Sequence, residues 1–547
     1  MPAYTGPWYK PAMADVPSGN LYENVVGRPL GTEAGALPPP RSSASVVLWR
    51  RLEGGGQNDF EVYWVKRAEQ LAFMGGWHAF PGGGMSRSDT ALPISGEPQL
   101  AADAPPASGL PATLRSLDEP GPDLLPGLVA CALRELFEET GILLSTPAVD
   151  PEELPEPRRA LLAGERAFID ILKSLDVKLE ASPLVYAGRW VTPPFAPIRF
   201  DNRFFLLEWP PNAPAQPAVI EGELEHGAWI LAAEAWEAWR RGSVLAAPPI
   251  LHVLEVLSQD GPTRGLGRLR DPAETFLGPL RRVEMRPGVL MFPLLTYTLP
   301  PAATTNAYLL GIHDCVLVDP GAASEAELGG LQQALAAARE RLGRRVTAIW
   351  LTHHHPDHVG GVERLRGTLG VPVLAHPLTA ERLAGRGIKV DGELQDGQQV
   401  VLGGNYSVQV IHTPGHARGH LCFLEEEQGS LLCGDMVSGV SMIVIDPPEG
   451  DMDDYLGSLA KLAALHPDTL FPGHGPAIKN ADAKLREYLK HRRWREERIL
   501  EAWNAGLREP AEMLPTVYED VSPQAWPLAQ RQILAHLDRL RKQGRIA

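Results

Sequence analysis

Cysteine is scarce in this chain. Cys131, Cys315, Cys422 and Cys433 are the only four among 547 residues, and no two form a C-x-x-C pair. That excludes a disulfide scaffold or a zinc ribbon as the organising device and fits a reducing, cytoplasmic setting. Long apolar runs are missing too. The longest stretch, 289–299, is interrupted by Pro293 and falls short of the ~18–20 residues a membrane helix needs. The N-terminal stretch MPAYTGPWYKPAMADVPSGN has no apolar h-region, so no secretory signal is expected. Positive charge is in deficit. With 51 Lys and Arg against 67 Asp and Glu, the formal net charge is -16. That argues against a general binder of nucleic acid or of an anionic membrane surface.

What is present is material for several cores. Apolar residues make up 44% of the chain, which excludes global disorder, and the length predicts two to four domains. The 52 prolines and 54 glycines cluster and mark boundaries. Residues 86–126 are rich in Pro, Ala, Ser, Asp and Gly without periodicity and read as a mobile surface insertion. A second breaker-rich stretch, 261–288, reads as an interdomain linker. Before it, strands are expected at 45–50, 60–66 and 204–208, and helices at 128–140 and 232–241. After it, strands at 315–318, 347–351 and 408–411 alternate with Ala-rich helices such as 325–342, which Ser324 and Glu327 are placed to cap. Residues 479–547 turn helical and basic, with 14 Lys and Arg against 10 Asp and Glu.

The most informative hexapeptide is His353-His354-His355-Pro356-Asp357-His358, which directly follows an apolar strand. Strand C-termini are where α/β sheets present ligands and catalysts. Imidazole and carboxylate suit Zn²⁺ and similar ions. One tight loop can aim His353 and His355 at one ion, and Asp357 and His358 at another. Further ligands are available at three later strand ends, in Pro414-Gly415-His416, Gly434-Asp435 and Gly473-His474-Gly475. The order H-x-H-x-D-H, PGH, GD, GHG, preceded by Asp319, resembles the metallo-β-lactamase superfamily. The resemblance implies an αββα sandwich in which His353, His355 and His416 hold one metal. Asp357, His358 and His474 would hold a second, Asp435 would bridge, and Asp319 would organise ligands without binding. It also implies two Zn²⁺ or other divalent transition metals, an acidified water and Asp357 in a catalytic role. His354, His412 and His420 receive no ligand role. The later stretches 470–476, 483–492 and 533–546 resemble the β-lactamase-like protein 2 family, whose members carry a small winged-helix-like C-terminal domain and include single-strand endoribonucleases and thioesterases. The run Arg492, Arg493, Arg495 and Arg498 reads as a solvated helix face countered by Glu496, Glu497 and Glu501. Phosphate docking is its other reading.

A second constellation is Arg134-Glu135-Leu136-Phe137-Glu138-Glu139-Thr140-Gly141-Ile142. Glu135, Glu138 and Glu139 share one helical face, and three clustered carboxylates repel unless a hard cation such as Mg²⁺ or Mn²⁺ intervenes. This pattern, with Phe80-Pro81-Gly82-Gly83-Gly84 upstream, resembles a Nudix box split by the Pro-rich insertion. Pro126 stands where a box glutamate is usual. The segments 189–193 and 199–205 resemble the Nudix subfamily that includes coenzyme A diphosphatases. The resemblance implies Glu138 and Glu139 as principal metal ligands, Glu135 in support and Arg134 orienting the carboxylates. Glu223 or Glu225 is a candidate distal ligand or base.

The expected architecture is α/β and multidomain. A Nudix α/β/α sandwich at 40–258 is followed by a linker at 259–284, a metallo-β-lactamase sandwich at 285–478 and a small helical winged-helix-like domain at 479–547. The expected function is a bifunctional metal-dependent hydrolase. The C-terminal half would cleave a thioester or a phosphodiester, with single-stranded RNA open as a substrate. The N-terminal half would cleave a diphosphate in coenzyme A or a nucleotide derivative. The alternative makes the Nudix half a non-catalytic nucleotide-binding regulator. No membrane partner is expected, and the oligomeric state is left open.

Overall fold

The computed structural model describes residues 40–547 except 53, 55–58, 72–73, 101–123, 194, 197, 211–212 and 323. Its first sheet orders Leu224–Leu231, Phe60–Arg67, Arg41–Arg51, Phe200–Glu208 and Val185–Val191 side by side. Arg41–Arg51 runs parallel to Phe200–Glu208, and the other pairs are antiparallel. The short strand Gly82–Gly84 pairs onto Arg41–Arg51. Alternating side chains of Arg41–Arg51 enter two separate cores. Ala44, Val46 and Leu48 face the helix Leu125–Thr140, while Val47 and Trp49 face the helices Ala232–Arg240 and Pro248–Arg264. The result is an α/β/α sandwich. The helix Leu125–Thr140 buries Leu128, Val129, Ala132, Leu133, Leu136 and Phe137, and ends at Gly141 with φ 78°, a left-handed cap that favours glycine.

Two further sheets lie face to face. One orders Val283–Arg286, Val289–Leu295, Thr304–Leu310, Asp314–Val318, Arg345–Trp350, Val373–Ala375 and Gly392–Glu393. The other orders Gln399–Leu402, Tyr406–His412, Leu421–Glu425, Ser430–Gly434 and Thr469–Pro472. Met291, Tyr308, Val316 and Trp350 from the first meet Val408, Phe423, Leu432 and Phe471 from the second. Outside the first sheet pack Glu325–Leu342, Val362–Leu369 and Pro377–Ala384, and outside the second pack Met452–Ala464 and Ala481–Asn504. This is an αββα sandwich. Ser324 caps its helix as read, its hydroxyl accepting from the Glu327 N–H. Beyond it, Ala481–Asn504, Pro510–Val517 and Trp526–Lys542 close around Ile499, Met513, Val517, Ile533 and Leu537.

Three sequence readings change. The stretch 261–288 is not an extended linker. Pro248–Arg264 continues past Gly261, Leu266–Arg270 follows, and Leu269 and Leu277 are buried. Its breakers sit at a kink and at turns, which composition alone does not separate from a tether. Of the stretch 86–126, residues 101–123 lie outside the described residues. Within 86–100, Asp89 and Leu92 are buried and Ile94–Ser95 is a strand, so this portion is packed. The third change concerns the basic run. Arg492 and Arg495 are 2% and 1% exposed. Arg492 donates to Gln532 Oε1 (2.9 Å), and Arg495 holds Asp520 through both oxygens (2.9 Å each). Glu496 is buried with His536, Arg539 and Arg545 around it. Arg492, Arg495 and Glu496 therefore pack the C-terminal helices, whereas Arg493, Glu497 and Glu501 are exposed as a solvated face would have them.

The two halves share apolar contacts. Trp77 (1% exposed), Phe195 and Leu245 join the core between the two face-to-face sheets, and the Trp239 indole N–H donates to the Met285 carbonyl (2.9 Å). Near this junction Glu284 is fully buried and accepts from Arg344, from Arg282 (2.9 Å) and from the Gly288 N–H (3.0 Å). Burial alone would raise its carboxyl, but the Arg344 and Arg282 guanidinium groups hold it down at about 2. A folded pKa below the unfolded value stabilises the fold above the unfolded pKa, and that stability is lost as pH falls toward the folded pKa. The shift corresponds to about 3 kcal/mol at neutral pH, of which about half is gone by pH 3. Glu284→Gln is therefore expected to lower stability by about 3 kcal/mol at pH 7 in chemical denaturation, with a gap from the parent that narrows below pH 4.5. A gap independent of pH would show that the ion pairs contribute nothing through charge.

Candidate metal centres

Loops from both sheets of the αββα sandwich converge on one spot. Arg345–Trp350 delivers 353–358, Tyr406–His412 delivers His416, Ser430–Gly434 delivers Asp435, and Thr469–Pro472 delivers His474. All seven side chains are buried. The ligand-type atoms of His353, His355 and His416 lie within 4.8 Å of one another, as do those of Asp357, His358 and His474. Asp435 reaches both groups. Its Oδ2 is 3.5 Å from His416 Nε2, and its Oδ1 is 3.4 Å from His474 Nε2 and 3.5 Å from His358 Nε2.

Outer partners fix which nitrogen of each ring faces inward. Asp319 accepts from His358 Nδ1 (2.9 Å), the Val444 carbonyl from His416 Nδ1 (2.9 Å), and the Thr304 carbonyl from His474 Nδ1 (3.0 Å). His353 Nδ1 meets the Thr352 hydroxyl at 2.9 Å. In each case Nε2 is the inward nitrogen, the arrangement typical of metal-ligating histidines. Asp319 also accepts from the Thr352 N–H (2.8 Å) and hydroxyl (2.6 Å), so it orients the loop while the threonine orients His353.

Among the described residues, His353 Nε2, His358 Nε2 and Asp435 Oδ1 are buried and make no hydrogen bond. Buried polar atoms rarely remain unsatisfied, and these three face one space. The charge pattern agrees. Burial drives His353 and His355 well below their ordinary range. Burial opposes charge on His358 and His474 too, yet Asp357 and Asp435 raise both. Burial would raise Asp435, but His474 and His358 hold it well below the usual carboxylate range. The donor set therefore fits divalent cations, with neutral imidazoles and anionic carboxylates as ligands.

Close approach makes two glycines obligatory here. A Cβ on Gly473 would stand 2.6 Å from Asp435 Oδ1 and 2.8 Å from His358 Cε1, and one on Gly434 would stand 2.6 Å from His420 Nε2. His420, open in the sequence as a residue that supports the ligands or meets substrate, accepts from the Asp435 N–H (3.0 Å) and meets the Thr413 hydroxyl through Nδ1 (2.8 Å). It positions the Asp435 loop. His412 stacks on His376 (4.1 Å between centroids) and lies outside the metal groups. His354 is buried beside His355 without joining either group.

In the other sandwich, Leu125–Thr140 lays Glu135, Glu138 and Glu139 along the glycine strand. Glu139 Oε2 accepts from the Gly82 N–H (2.9 Å), and a Cβ on Gly83 would collide with Glu135 at 2.4 Å. Arg134 donates to Glu135 (2.9 Å) and Glu138 (3.1 Å), and forks onto Asp89 (2.7 and 3.0 Å). Desolvation raises Glu135 to about 7 and Glu139 well above its ordinary value. Arg134 pairs with Glu135 and Glu138 but not with Glu139, so this face carries a carboxylate in want of a cation. Oxygen ligands of this kind suit Mg²⁺ or Mn²⁺. Pro126 lies in the first turn of the helix. Sequence reasoning missed Asp89, which also accepts from the Ser86 N–H through Oδ2 (2.7 Å). Glu225 pairs with Lys66 (3.0 Å) and Glu223 with Arg67 (3.1 Å), and Glu223 and Arg67 are both near enough to act on the Glu139 carboxyl.

Comparison with known proteins follows the same division. Residues 301–474 match the metallo-beta-lactamase superfamily model, residues 40–257 the NUDT19 Nudix domain, and residues 510–547 the beta-lactamase associated winged helix domain. The chain is 31% identical over 265 residues to the beta-lactamase-like protein 2 homolog of Drosophila melanogaster, covering 44% of this chain and 84% of that protein. It is 31% identical over 213 residues to the atrochrysone carboxyl ACP thioesterase of Aspergillus fumigatus, covering 38% of this chain and 61% of that protein. A crystal structure of a NUDIX hydrolase from Alicyclobacillus acidocaldarius aligns with TM-score 0.35 and 29% identity, over 43% of this chain and 99% of that one.

The Gly473 contact generates a test. Gly473→Ala is expected to displace Asp435 and lower the metal content of the purified protein several-fold while far-ultraviolet circular dichroism stays unchanged. A full metal load in that variant would remove Asp435 from the centre.

Proposed function

The chain belongs to the β-lactamase-like protein 2 family of metallo-β-lactamase-fold hydrolases, with a Nudix domain ahead of it, and from that premise we propose a bifunctional metal-dependent hydrolase. We take residues 40–258 as the Nudix unit, 259–284 as the join, 285–478 as the metallo-β-lactamase unit and 479–547 as the winged-helix-like unit. One observation carries the C-terminal activity. Seven buried ligand-type side chains face one space, and Asp435 divides its two oxygens between their two triads.

In this reading His353, His355 and His416 would hold one divalent ion, Asp357, His358 and His474 would hold a second, and Asp435 would serve both. Zn²⁺ suits the donors, as do other divalent transition metals. When bound, such ions supply Lewis acidity that polarises the scissile group and acidifies water. The chain's own residues orient and desolvate. Thr305 donates to Asp357 Oδ2 (3.2 Å), so Asp357 presents a fixed carboxylate to take the proton of the attacking water. Water adds to the acyl carbon, the C–S bond breaks, and a carboxylic acid and a thiol leave. A thioester is favoured over a phosphodiester because a relative is named as a thioesterase and because Arg492 and Arg495 are committed to packing.

At the Nudix site Glu138 and Glu139 would hold Mg²⁺ or Mn²⁺, Glu135 would support them and Arg134 would orient the carboxylates. Water would cleave a diphosphate of a nucleotide or coenzyme A type into two phosphomonoesters. Pro126 in place of a carboxylate favours a second reading, a nucleotide-binding module without turnover. The four cysteines are free and buried, which fits a reducing cytoplasm. No described helix is long and apolar enough to cross a membrane.

The test is a substrate panel on the full chain: acyl thioesters, single-stranded RNA, and coenzyme A with Mg²⁺ or Mn²⁺. His355→Ala and Asp357→Ala are expected to reduce thioester turnover by about 10³-fold and to lower metal content together. Unchanged turnover would sink the ligand assignment. Glu139→Gln is expected to abolish release of 4′-phosphopantetheine and 3′,5′-ADP from coenzyme A, whereas tight nucleotide binding with no product in the parent would establish the binding-module reading.

A further inference from the structure

A patch of positive charge lies at the rim of the C-terminal centre, made by segments that also hold its ligands. The helix Pro377–Ala384 docks on the loop that carries His416. Thr379 Oγ1 donates to the Gly419 carbonyl (2.8 Å), and the approach is so close that a Cβ on Gly419 would stand 2.5 Å from that hydroxyl. At the end of this helix the exposed Arg386 donates to the carbonyl of His354, the residue between two ligand positions (2.9 Å). One turn earlier Arg382 pairs with Glu449. The other oxygen of Glu449 accepts from the Arg418 N–H (3.3 Å), and the Arg418 side chain donates to the Pro448 carbonyl (3.2 Å). The same segment supplies the Val444 carbonyl that orients His416.

Arg382 takes one oxygen of Glu449, and the other accepts from the Arg418 backbone N–H. Among the described residues, Arg386 and Arg418 meet carbonyl oxygens, and no ion pair is formed by either side chain. Both are solvent-exposed. Other arginines of the same sandwich do meet a carboxylate, as Arg366 does with Asp391 and Arg345 with Asp314. Both belong to segments that hold the centre's loops: Arg386 holds the backbone between His353 and His355, and Arg418 lies two residues after His416. Two guanidinium forks on one rim match the oxygens of a phosphate, which can accept from both at once.

We propose that Arg386 and Arg418 form a phosphate-recognition subsite at the mouth of the C-terminal centre, which holds the phosphate of a phosphorylated pantetheine-type thiol arm. The proposal rests on the thioester reading for its substrate. The acyl carbon enters the centre, and the thiol arm lies across the helix end toward the two arginines. Arg382, neutralised by Glu449, keeps the helix end in place. The same arm occurs on coenzyme A and on carrier proteins, so the chemistry is common to both sources.

The experiment compares 4′-phosphopantetheine with pantetheine, which differ only in the phosphate, for binding to the metal-loaded full chain by calorimetry. Neither carries a diphosphate, so the Nudix site cannot cleave them. The parent is expected to prefer the phosphorylated ligand by about 10-fold or more, and Arg386→Gln/Arg418→Gln to bring that ratio near one. The S-acetyl forms of both ligands, assayed for hydrolysis, are expected to show the same ratio in kcat/KM. Acetyl-coenzyme A and an acylated carrier protein as competing substrates then tell the two sources apart. A preference that survives in the double variant, or an equal loss for both ligands, overturns the proposal. So does a variant that loses affinity for a single-stranded oligoribonucleotide while keeping the phosphopantetheine preference. A parent that binds with the expected preference but hydrolyses no thioester refutes the thioester reading and leaves the subsite standing.

Discussion

The carboxylate of Asp435 is the hinge of the C-terminal half. It lies at a strand end, buried, with one oxygen toward His416 and the other toward His358 and His474. Burying an anion among polar groups that do not hydrogen-bond it is costly unless charge is supplied. Here five imidazoles and Asp357 surround it, so the cost is offset by cations or by protons on His358 and His474. The rest of the sandwich serves that placement. Gly473 and Gly434 lack side chains because Asp435 and His420 occupy the space, Asp319 locks His358 and Thr352, and backbone carbonyls fix His416 and His474.

The N-terminal half solves the opposite problem. Its ligand candidates are carboxylates on a single helix, mutually repelling, and an arginine rather than imidazoles keeps them together. Arg134 touches Glu135, Glu138 and Asp89 at once. Asp89 is 1% exposed and takes both arms of the fork, so the guanidinium is pinned from behind and can face the helix carboxylates. The two candidate donor sets thus differ in hardness: nitrogen-rich in one half, all-oxygen in the other.

How much was legible follows from the range of each signal. The histidine hexapeptide and the carboxylate helix are local: the first announces a metal by its spacing, while the second by itself reads as a solvated acidic face and takes its metal role from the resemblance to a Nudix box. The convergence of His416, Asp435 and His474 could be read only because each follows a strand and a turn glycine. Asp89 acts on a residue 45 positions away, in a stretch without periodicity, so nothing in the pattern announced it. Arg492 and Arg495 were misread for a different reason. Charge predicts exposure on average, and only the packed structure reveals that Asp520, Gln532 and backbone carbonyls are waiting for them. The breaker-rich 261–288 does not show in its composition that it is partly helical and packed, because a kinked helix and an extended segment share a composition.

The junction bears on how the two sites relate. His474 is followed within five residues by Lys479, whose side chain pairs with Asp468 and lies 3.2 Å from where a Gly76 Cβ would be. Gly76 precedes Trp77, which is buried in the core of the C-terminal sandwich, and the chain then runs through Phe80 and Pro81 to Gly82, the donor to Glu139. Asn480 reaches Glu69 (3.3 Å) from the same seam. Each metal-site loop is therefore continuous with a segment that the opposite half helps to bury. A tether between independent enzymes would leave Trp77 on the surface, where an indole is costly to expose. Its burial instead means that separating the halves would uncover apolar surface beside the segments that lead to both candidate sites.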